Sequence, residues 1–226
     1  LAREFRRQVD ARGKPRGQAY LVTAALPVGR MQSAGPYDPA LSFELKALGE
    51  TLDFINLMTY DMGTAFSSVA TFNAPLHEVA DDPLPPELRR TNNVAGAVAY
   101  YRQHGVPDDK LVLGVPFYGR GFKVSSDANN GLYQPYSEPW AAGDWRQIKS
   151  DLLTDAKWTQ HWHPVAQTPY LFNAAEHIFV SYEDPRSIEL RARWAKDSGL
   201  RGVFMWELTG DDAQASLLKA MVRPFQ

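Results

Sequence analysis

Phe54-Ile55-Asn56-Leu57-Met58-Thr59-Tyr60-Asp61 is a short apolar run that ends in a phenol and a carboxylate. Successive side chains on a strand point to opposite faces, so Met58 and Tyr60 share one face and Asp61 sits at the exit. Such a run suits a parallel sheet covered by helices. Polar groups gathered where a parallel strand ends are where α/β proteins place their chemistry. The plainer alternative is a core strand whose Asp61 merely starts the next loop.

Before this run, Leu1, Phe5 and Val9 recur at helical spacing, and Gly13 ends the pattern. Tyr20 to Leu26 is expected as a strand stopped by Pro27. Asp38 as N-cap, with Pro39 at the first helical position, opens a helix through Leu41, Leu45 and Leu48, closed at Gly49. After the run comes a long irregular loop, Met62 to Arg90; loops of that length in a compact domain are functional or disordered. Thr91 or Asn92 caps a helix carrying Val94, Val98 and Tyr101, ended by Gly105 and Pro107. Leu111 to Phe117 is the third strand, leading into Tyr118-Gly119-Arg120-Gly121.

Asp184-Pro185 opens another helix, with Ile188, Arg191 and Trp194 in register and Gly199 as the stop. Val203-Phe204-Met205-Trp206-Glu207 is the fourth strand, and a final helix runs from about Asp212 to Arg223. Strands alternating with helices imply right-handed crossovers and a parallel sheet. Phe122 to Ser181 reads differently: a helix from Trp145 to Leu153 capped at Asp144, then aromatic runs at Lys157 to Trp162, Tyr170 to Phe172 and Ile178 to Tyr182. That is the pattern of a small antiparallel sheet with a helix.

The expected class is therefore α/β, with four parallel strands, their helices and a small α+β insertion between the third and fourth strands. The expected division is a partial barrel over 1–121, the insertion over 122–181 and the rest of the barrel over 182–226. Four strands are half of the eight that a closed barrel needs. A half barrel exposes strand edges and apolar faces, so its expected partners are the other half of the barrel or a second copy joined through the open edges.

The 226 residues contain no cysteine and carry a formal net charge of −2. Balanced charge without long basic runs argues against nucleic acid as a partner. Without cysteine there is neither a disulfide scaffold nor a thiolate metal site. No apolar run is long enough to span a bilayer, so no membrane partner is expected. The chain starts at Leu1 inside a helical pattern, so the lack of a signal peptide carries no weight.

Alternation places Phe204 and Trp206 on one face of their strand, and Gly114, Pro116 and Tyr118 on one face of theirs. If these faces meet at a barrel mouth, an indole, two phenols, a carboxylate and a guanidinium converge. Such a floor suits a sugar ring, whose faces are rich in C–H and whose rim carries hydroxyls.

At this point the motifs resemble a family. Phe54 to Asp61 resembles the sixth-strand signature of family 18 glycoside hydrolases, the chitinase family. Asn73-Ala74-Pro75-Leu76 is similar to the loop that follows it, Lys110 to Arg120 to the seventh strand, and Gly202 to Leu208 to the eighth. The insert, with Thr168-Pro169-Tyr170-Leu171 and Ser181-Tyr182-Glu183-Asp184, is similar to the α+β insertion of the deep-cleft chitinases. The resemblance implies the C-terminal half of a (β/α)8 TIM barrel and substrate-assisted, retaining cleavage of β-1,4-linked N-acetylglucosamine. It gives catalytic roles to Tyr60, which would hold the acetamido carbonyl, and to Asp61, which would bind the sugar at the cleavage point. Met58, Tyr118, Arg120 and Trp206 would bind substrate, with Trp206 as the floor. No cofactor and no metal are implied; the partner is chitin or its N-acetylglucosamine oligosaccharides, and the location extracellular.

One departure bears on activity. The family's fourth-strand motif, Asp-x-x-Asp-x-Asp-x-Glu, whose glutamate is the general acid, does not occur in the sequence. The family pattern would put it shortly before Leu1. A general acid contributes roughly 10²–10⁴-fold, so the chain is expected to be inactive alone, and a chitin-binding, lectin-like protein or a truncated piece stands as the alternative.

Other signals have plainer readings. Glu207 would pair with Asp61 as a second carboxylate, but alternation turns it away from the mouth. His161-Trp162-His163 has metal-like spacing without a partner ligand in register. Tyr118-Gly-Arg-Gly lacks the helix that a phosphate loop requires. Trp140, Trp145, Trp158 and Trp162 could form a sugar-stacking stripe, though packing the insert is the plainer use. Asp81-Asp82 and Arg89-Arg90 read as solvated loop charges.

Overall fold

The computed structural model describes residues 1–30 and 38–226. In chain order the helices and strands are α1 (Ala2–Gly13), β1 (Thr23–Pro27), α2 (Pro39–Ser42), α3 (Leu45–Thr51), β2 (Phe54–Met58), α4 (Pro86–Arg89), α5 (Val94–Gln103), β3 (Leu111–Pro116), β4 (Arg120–Val124), β5 (Tyr136–Trp140), α6 (Trp145–Gln147), β6 (Thr159–His163), β7 (Thr168–Asn173), β8 (Ile178–Ser181), α7 (Pro185–Asp197), β9 (Gly202–Trp206) and α8 (Ser216–Val222).

Two sheets share the chain. The first is parallel, in the order β1-β2-β3-β9, and the second is antiparallel, in the order β5-β4-β8-β7-β6. This is a partial (β/α) barrel carrying an α+β insertion. Every residue of β3 is buried, as a central strand covered on both faces must be, whereas the outer strands β1 and β9 are largely part-exposed. Register brings the C-terminal ends level: Pro27 lies beside Met58, and Pro116 beside Trp206. Gly114 is required where β3 meets its neighbours, because a Cβ there would lie 2.5 Å from the Leu57 carbonyl oxygen and 2.8 Å from the Phe204 ring.

Several local expectations needed correction. The first strand begins at Thr23 rather than Tyr20, because Val22 N–H donates to the Asp53 carboxylate (2.6 Å) instead of to a ladder. Pro27 closes that strand from inside; on an edge strand its missing N–H is tolerated. The helix expected to run from Asp38 to Gly49 is two helices, broken where Phe43 is extended (φ −137°). Gly49 lies within the second helix rather than at its end, packed against Val106. Asn93, rather than Thr91 or Asn92, caps α5 by accepting from Gly96 N–H at 2.7 Å. The last helix begins at Ser216 because Asp211 and Asp212 lie before it and accept from the N–H groups of Leu218 (2.8 Å), Leu217 and Ser216 (each 3.1 Å). Asp144 and Asp184 start their helices as the sequence indicates, and each does so through a capping box.

The expected irregular loop from Met62 to Arg90 ends in the short helix α4 and is otherwise irregular but packed, with Ala70 to Leu76 buried. The insertion holds it: Ala70 N–H donates to Gln134 C=O (2.9 Å), Tyr133 N–H to Ala70 C=O (2.8 Å), and Leu76 N–H to Ala166 C=O (2.7 Å). Asn73 N–H donates to Ser181 Oγ at 2.9 Å. Beneath this junction lies a fully buried ion pair, Arg191 Nη1 to Glu183 Oε2 at 2.8 Å. The same guanidinium donates to the carbonyls of Ala74, Gln167 and Ser187 and to Thr168 Oγ1. One side chain on α7 thus ties the loop, the insertion and the barrel together. Burial pushes the Glu183 carboxyl up and the Arg191 guanidinium down, each against the pull of its partner.

Removing one partner of a buried pair strands the other charge, at a cost of about 3–5 kcal/mol. Arg191→Met is therefore expected to lower the unfolding free energy by that order in urea denaturation, and Arg191→Met/Glu183→Leu to regain much of it. Equal losses in the single and double variants would show that the pair is not what the junction rests on.

Candidate active site

Met58 ends β2, and Thr59 turns its hydroxyl into the sheet, donating to the Gly114 carbonyl at 2.6 Å. That cross-strand tie fixes the two residues on either side of it. Tyr60 is 8 % exposed and meets Tyr118 and Phe204 edge-on, with ring centroids 6.1 and 6.3 Å away. Its hydroxyl has no hydrogen-bond partner among the described residues. Burial first, then the charge of Asp61, push this phenol up to about 12. It is therefore a neutral donor throughout the range in which a protein works.

Asp61 takes a left-handed backbone (φ +61°), a conformation that aspartate tolerates better than most residues. Its N–H donates to Asn73 Oδ1 at 2.8 Å. Three donors converge on Asp61 Oδ1: Tyr118 OH at 2.7 Å, Arg120 Nη2 at 2.7 Å and Arg120 Nε at 2.9 Å. Oδ2 has no partner among the described residues and remains available to a ligand. Burial acts against the charge on Arg120, but the hydrogen bonds and charge of Asp61 outweigh it and raise its pKa. Burial, and then Asp61, hold the Tyr118 phenol well above its ordinary value. The Arg120–Asp61 pair is only half-buried, so its contribution to stability is small, on the order of 1 kcal/mol or less; its effect is to orient the carboxylate.

Trp206 closes β9 with its side chain 58 % exposed, which for an indole marks a surface that something else can cover. Phe117 N–H donates to the Trp206 carbonyl at 2.8 Å and holds the two strand ends side by side. Met58, Tyr60, Asp61, Tyr118, Arg120 and Trp206 line one open hollow of about 400 Å³. All six residues singled out in the sequence thus meet in one place, drawn from the ends of β2, β3 and β9 and the start of β4.

The other signals resolve differently. Glu207 accepts from Thr209 Oγ1 at 2.6 Å and does not line the hollow. His161 stacks on Tyr170, and His163 Nδ1 accepts from Ala166 N–H at 3.0 Å. Trp145 is buried against Tyr182, Trp140 lies against Trp158, and Arg186 sits 3.7 Å over the Trp162 ring, so the four indoles form no common stripe. Asp82 and Arg89 are not solvated charges: both are part-buried, and Arg89 donates to Glu78 and to the carbonyls of Ala80 and Asp82. Sequence reasoning passed over Asn73, which sets the backbone of Asp61. Its only signal was its place in the loop motif after the strand.

The family model described as glycosyl hydrolases family 18 matches residues 1–211. The chain belongs to glycosyl hydrolase family 18. It is 35% identical over 219 residues to chitinase A1 of Niallia circulans, covering 93% of this chain and 30% of that protein. Among solved structures it is similar to a family 18 N-acetylglucosaminidase from Paenibacillus barengoltzii, with a TM-score of 0.87 and 28% identity over 99% of this chain and 61% of that one. It is also similar to a chitinase-like agglutinin from Robinia pseudoacacia, with a TM-score of 0.78 and 28% identity over 100% of this chain and 61% of that one. The family 18 chain thus spans less than two thirds of the length of each of these proteins.

The charge of Asp61 opposes formation of a phenolate on Tyr60, so neutralising it should make that phenol more acidic. In an NMR titration of ring-labelled tyrosines, Tyr60 is expected to stay unchanged as exposed phenols titrate near pH 10, and Asp61→Asn to lower its midpoint part of the way from about 12. A Tyr60 midpoint that Asp61→Asn leaves in place would contradict the contact.

Proposed function

We propose that this chain supplies the sugar-gripping wall of a chitinase that cleaves β-1,4-linked N-acetylglucosamine with retention. The observation that carries the reading is the single hollow in which Tyr60, Asp61 and Trp206 meet. In this reading the acetamido group of the bound sugar lies over Tyr60, whose neutral hydroxyl donates to the acetamido carbonyl. Asp61 Oδ2 accepts from the same sugar, while Tyr118 and Arg120 hold Oδ1. Trp206 lies flat beneath the ring, and Met58 bounds the pocket.

The chemistry follows from that pose. The acetamido oxygen attacks the anomeric carbon as the bond to the leaving oxygen breaks, and the leaving oxygen takes a proton from a general acid. Water then opens the cyclic oxazolinium ion from the face the leaving group left, which restores the original configuration. Holding the carbonyl oxygen against the reacting carbon is the orientation effect that lowers such barriers by several kcal/mol. The general acid is not among these residues, since Asp-x-x-Asp-x-Asp-x-Glu is absent from the sequence. It would come from a first half-barrel seated against the part-exposed strands β1 and β9. In this reading residues 1–121 and 182–226 form the barrel part and 122–181 the insertion. The substrate is a polymer that cannot cross a membrane, which places the work outside the cell; among the described residues no helix is long and apolar enough to cross one.

A second reading is a binding protein without catalysis, favoured by the same missing motif. The two readings share the hollow and differ in what completes it. Calorimetry with chitotetraose is expected to show binding that Trp206→Ala weakens roughly tenfold or more, as for a central aromatic anchor. Mixing with a separately produced first half-barrel that associates with this chain is expected to restore hydrolysis of a chromogenic chitobioside. Binding without hydrolysis in a demonstrated complex would favour the lectin-like reading; no binding by a folded sample would overturn both.

A further inference from the structure

Asp61 is held from two sides, and both lead to Ser181, the last residue of β8. The first side is its backbone. Asn73 accepts from Asp61 N–H through Oδ1 at 2.8 Å and from Met62 N–H through its main-chain carbonyl at 2.9 Å. Asn73 N–H in turn donates to Ser181 Oγ at 2.9 Å. One hydroxyl thus holds the residue that holds the left-handed turn at Asp61.

The second side is the carboxylate. Tyr118 and Arg120 donate to Asp61 Oδ1, and Gly119 lies between them in the chain. A Cβ at Gly119 would lie 3.0 Å from the Ser181 carbonyl oxygen, so the two main chains meet there without room for a side chain. Arg120 is also the ladder partner of Ser181 where β4 pairs with β8. The segment that carries both donors is therefore laid against the same residue. Ser181 and Asn73 are fully buried, and neither lines the Trp206 hollow. Any influence they have on a ligand passes through Asp61 and its neighbours.

We propose that Ser181 is a positioning residue for the sugar grip, its hydroxyl acting through Asn73 to set the direction in which Asp61 presents Oδ2. The proposal rests on the chitin-type reading given above and deepens it by naming what aims the carboxylate. A left-handed backbone at a residue other than glycine persists only where its surroundings hold it there. Without Ser181 Oγ the buried N–H of Asn73 loses its acceptor, and a buried donor left unmade is far more costly than an exposed one. The loop shifts to find another partner, Asn73 Oδ1 leaves the Asp61 N–H, and the turn relaxes. Oδ1 stays tied to Tyr118 and Arg120, so the carboxylate swings about that tie and Oδ2 loses its direction toward the hollow.

The test combines amide hydrogen exchange and calorimetry on this chain, with thermal unfolding checking that each variant folds. In Ser181→Ala the Asp61 amide is expected to exchange roughly tenfold or more faster, while the β2 amides of Ile55 and Leu57 keep their rates. Chitotetraose is expected to bind this variant roughly three- to tenfold more weakly, as for the loss of one buried hydrogen bond. Ser181→Thr keeps the hydroxyl and is expected to restore most of both. Ser181→Cys, nearly isosteric but a weaker acceptor, is expected to fall between. In an Asp61→Ala background, which has no carboxylate to aim, Ser181→Ala is expected to cost no further affinity. An Asp61 amide or an affinity that Ser181→Ala and Ser181→Cys leave unchanged would overturn the positioning role and leave the chitin reading intact. So would a loss of affinity that is the same with and without Asp61→Ala. No binding of chitotetraose by the folded wild-type chain would overturn both.

Discussion

Three donors meeting on one carboxylate oxygen, Asp61 Oδ1, are what turn separate strand ends into a single surface. Asp61 follows β2, Tyr118 follows β3 and Arg120 opens β4, so the contact joins the barrel sheet to the root of the insertion. A carboxylate held on one side by a phenol and a guanidinium cannot rotate freely, and its other oxygen keeps a defined direction. The tie also asks for an unusual backbone, since Asp61 must turn left-handed to reach it. That conformation is sustained by Asn73, whose side chain accepts from the Asp61 N–H.

Asn73 in turn belongs to the insertion as much as to the barrel. Its own N–H is held by Ser181 at the end of β8, and the next carbonyl, that of Ala74, is held by the buried Arg191. The chain of causes therefore runs from a buried ion pair, through a packed loop, to the backbone of the acidic residue in the hollow. The insertion shapes the site without lining the Trp206 hollow. Its aromatic residues serve this bracing: Phe72 in the loop meets Tyr133, His163, Tyr170 and Phe179 edge-on.

Much of this was legible in the amino-acid sequence, for reasons that can be named. Short apolar runs ending in polar residues marked β2 and β9, and cap residues such as Asp144 and Asp184 marked helix starts, because both signals are local. Alternation alone put Met58 beside Tyr60, and sheet register then brought Trp206 to the same level. The capping of α5 by Asn93 and the late start of α8 are also set locally, by Asn93 on Gly96 and by Asp211 and Asp212 on Ser216 to Leu218, but a window cannot rank one polar residue against its neighbour as the cap. What stayed hidden otherwise depended on contacts distant in sequence, such as Asn73 with Ser181 and Ala74 with Arg191. The same holds for Asp82, which reads as a solvated loop charge until folding sets it in a hollow with Phe66 and Leu84.

The claim that an acetylated sugar lies between Tyr60 and Trp206 can be tested directly by NMR shift mapping with N,N′-diacetylchitobiose. The Met58 methyl and the Trp206 indole N–H signals should move together with one dissociation constant. The Trp145 indole, buried and bonded to Asp212 and Ser216, should stay fixed. Movement confined to the insertion, with Met58 and Trp206 unmoved at saturating sugar, would contradict the account.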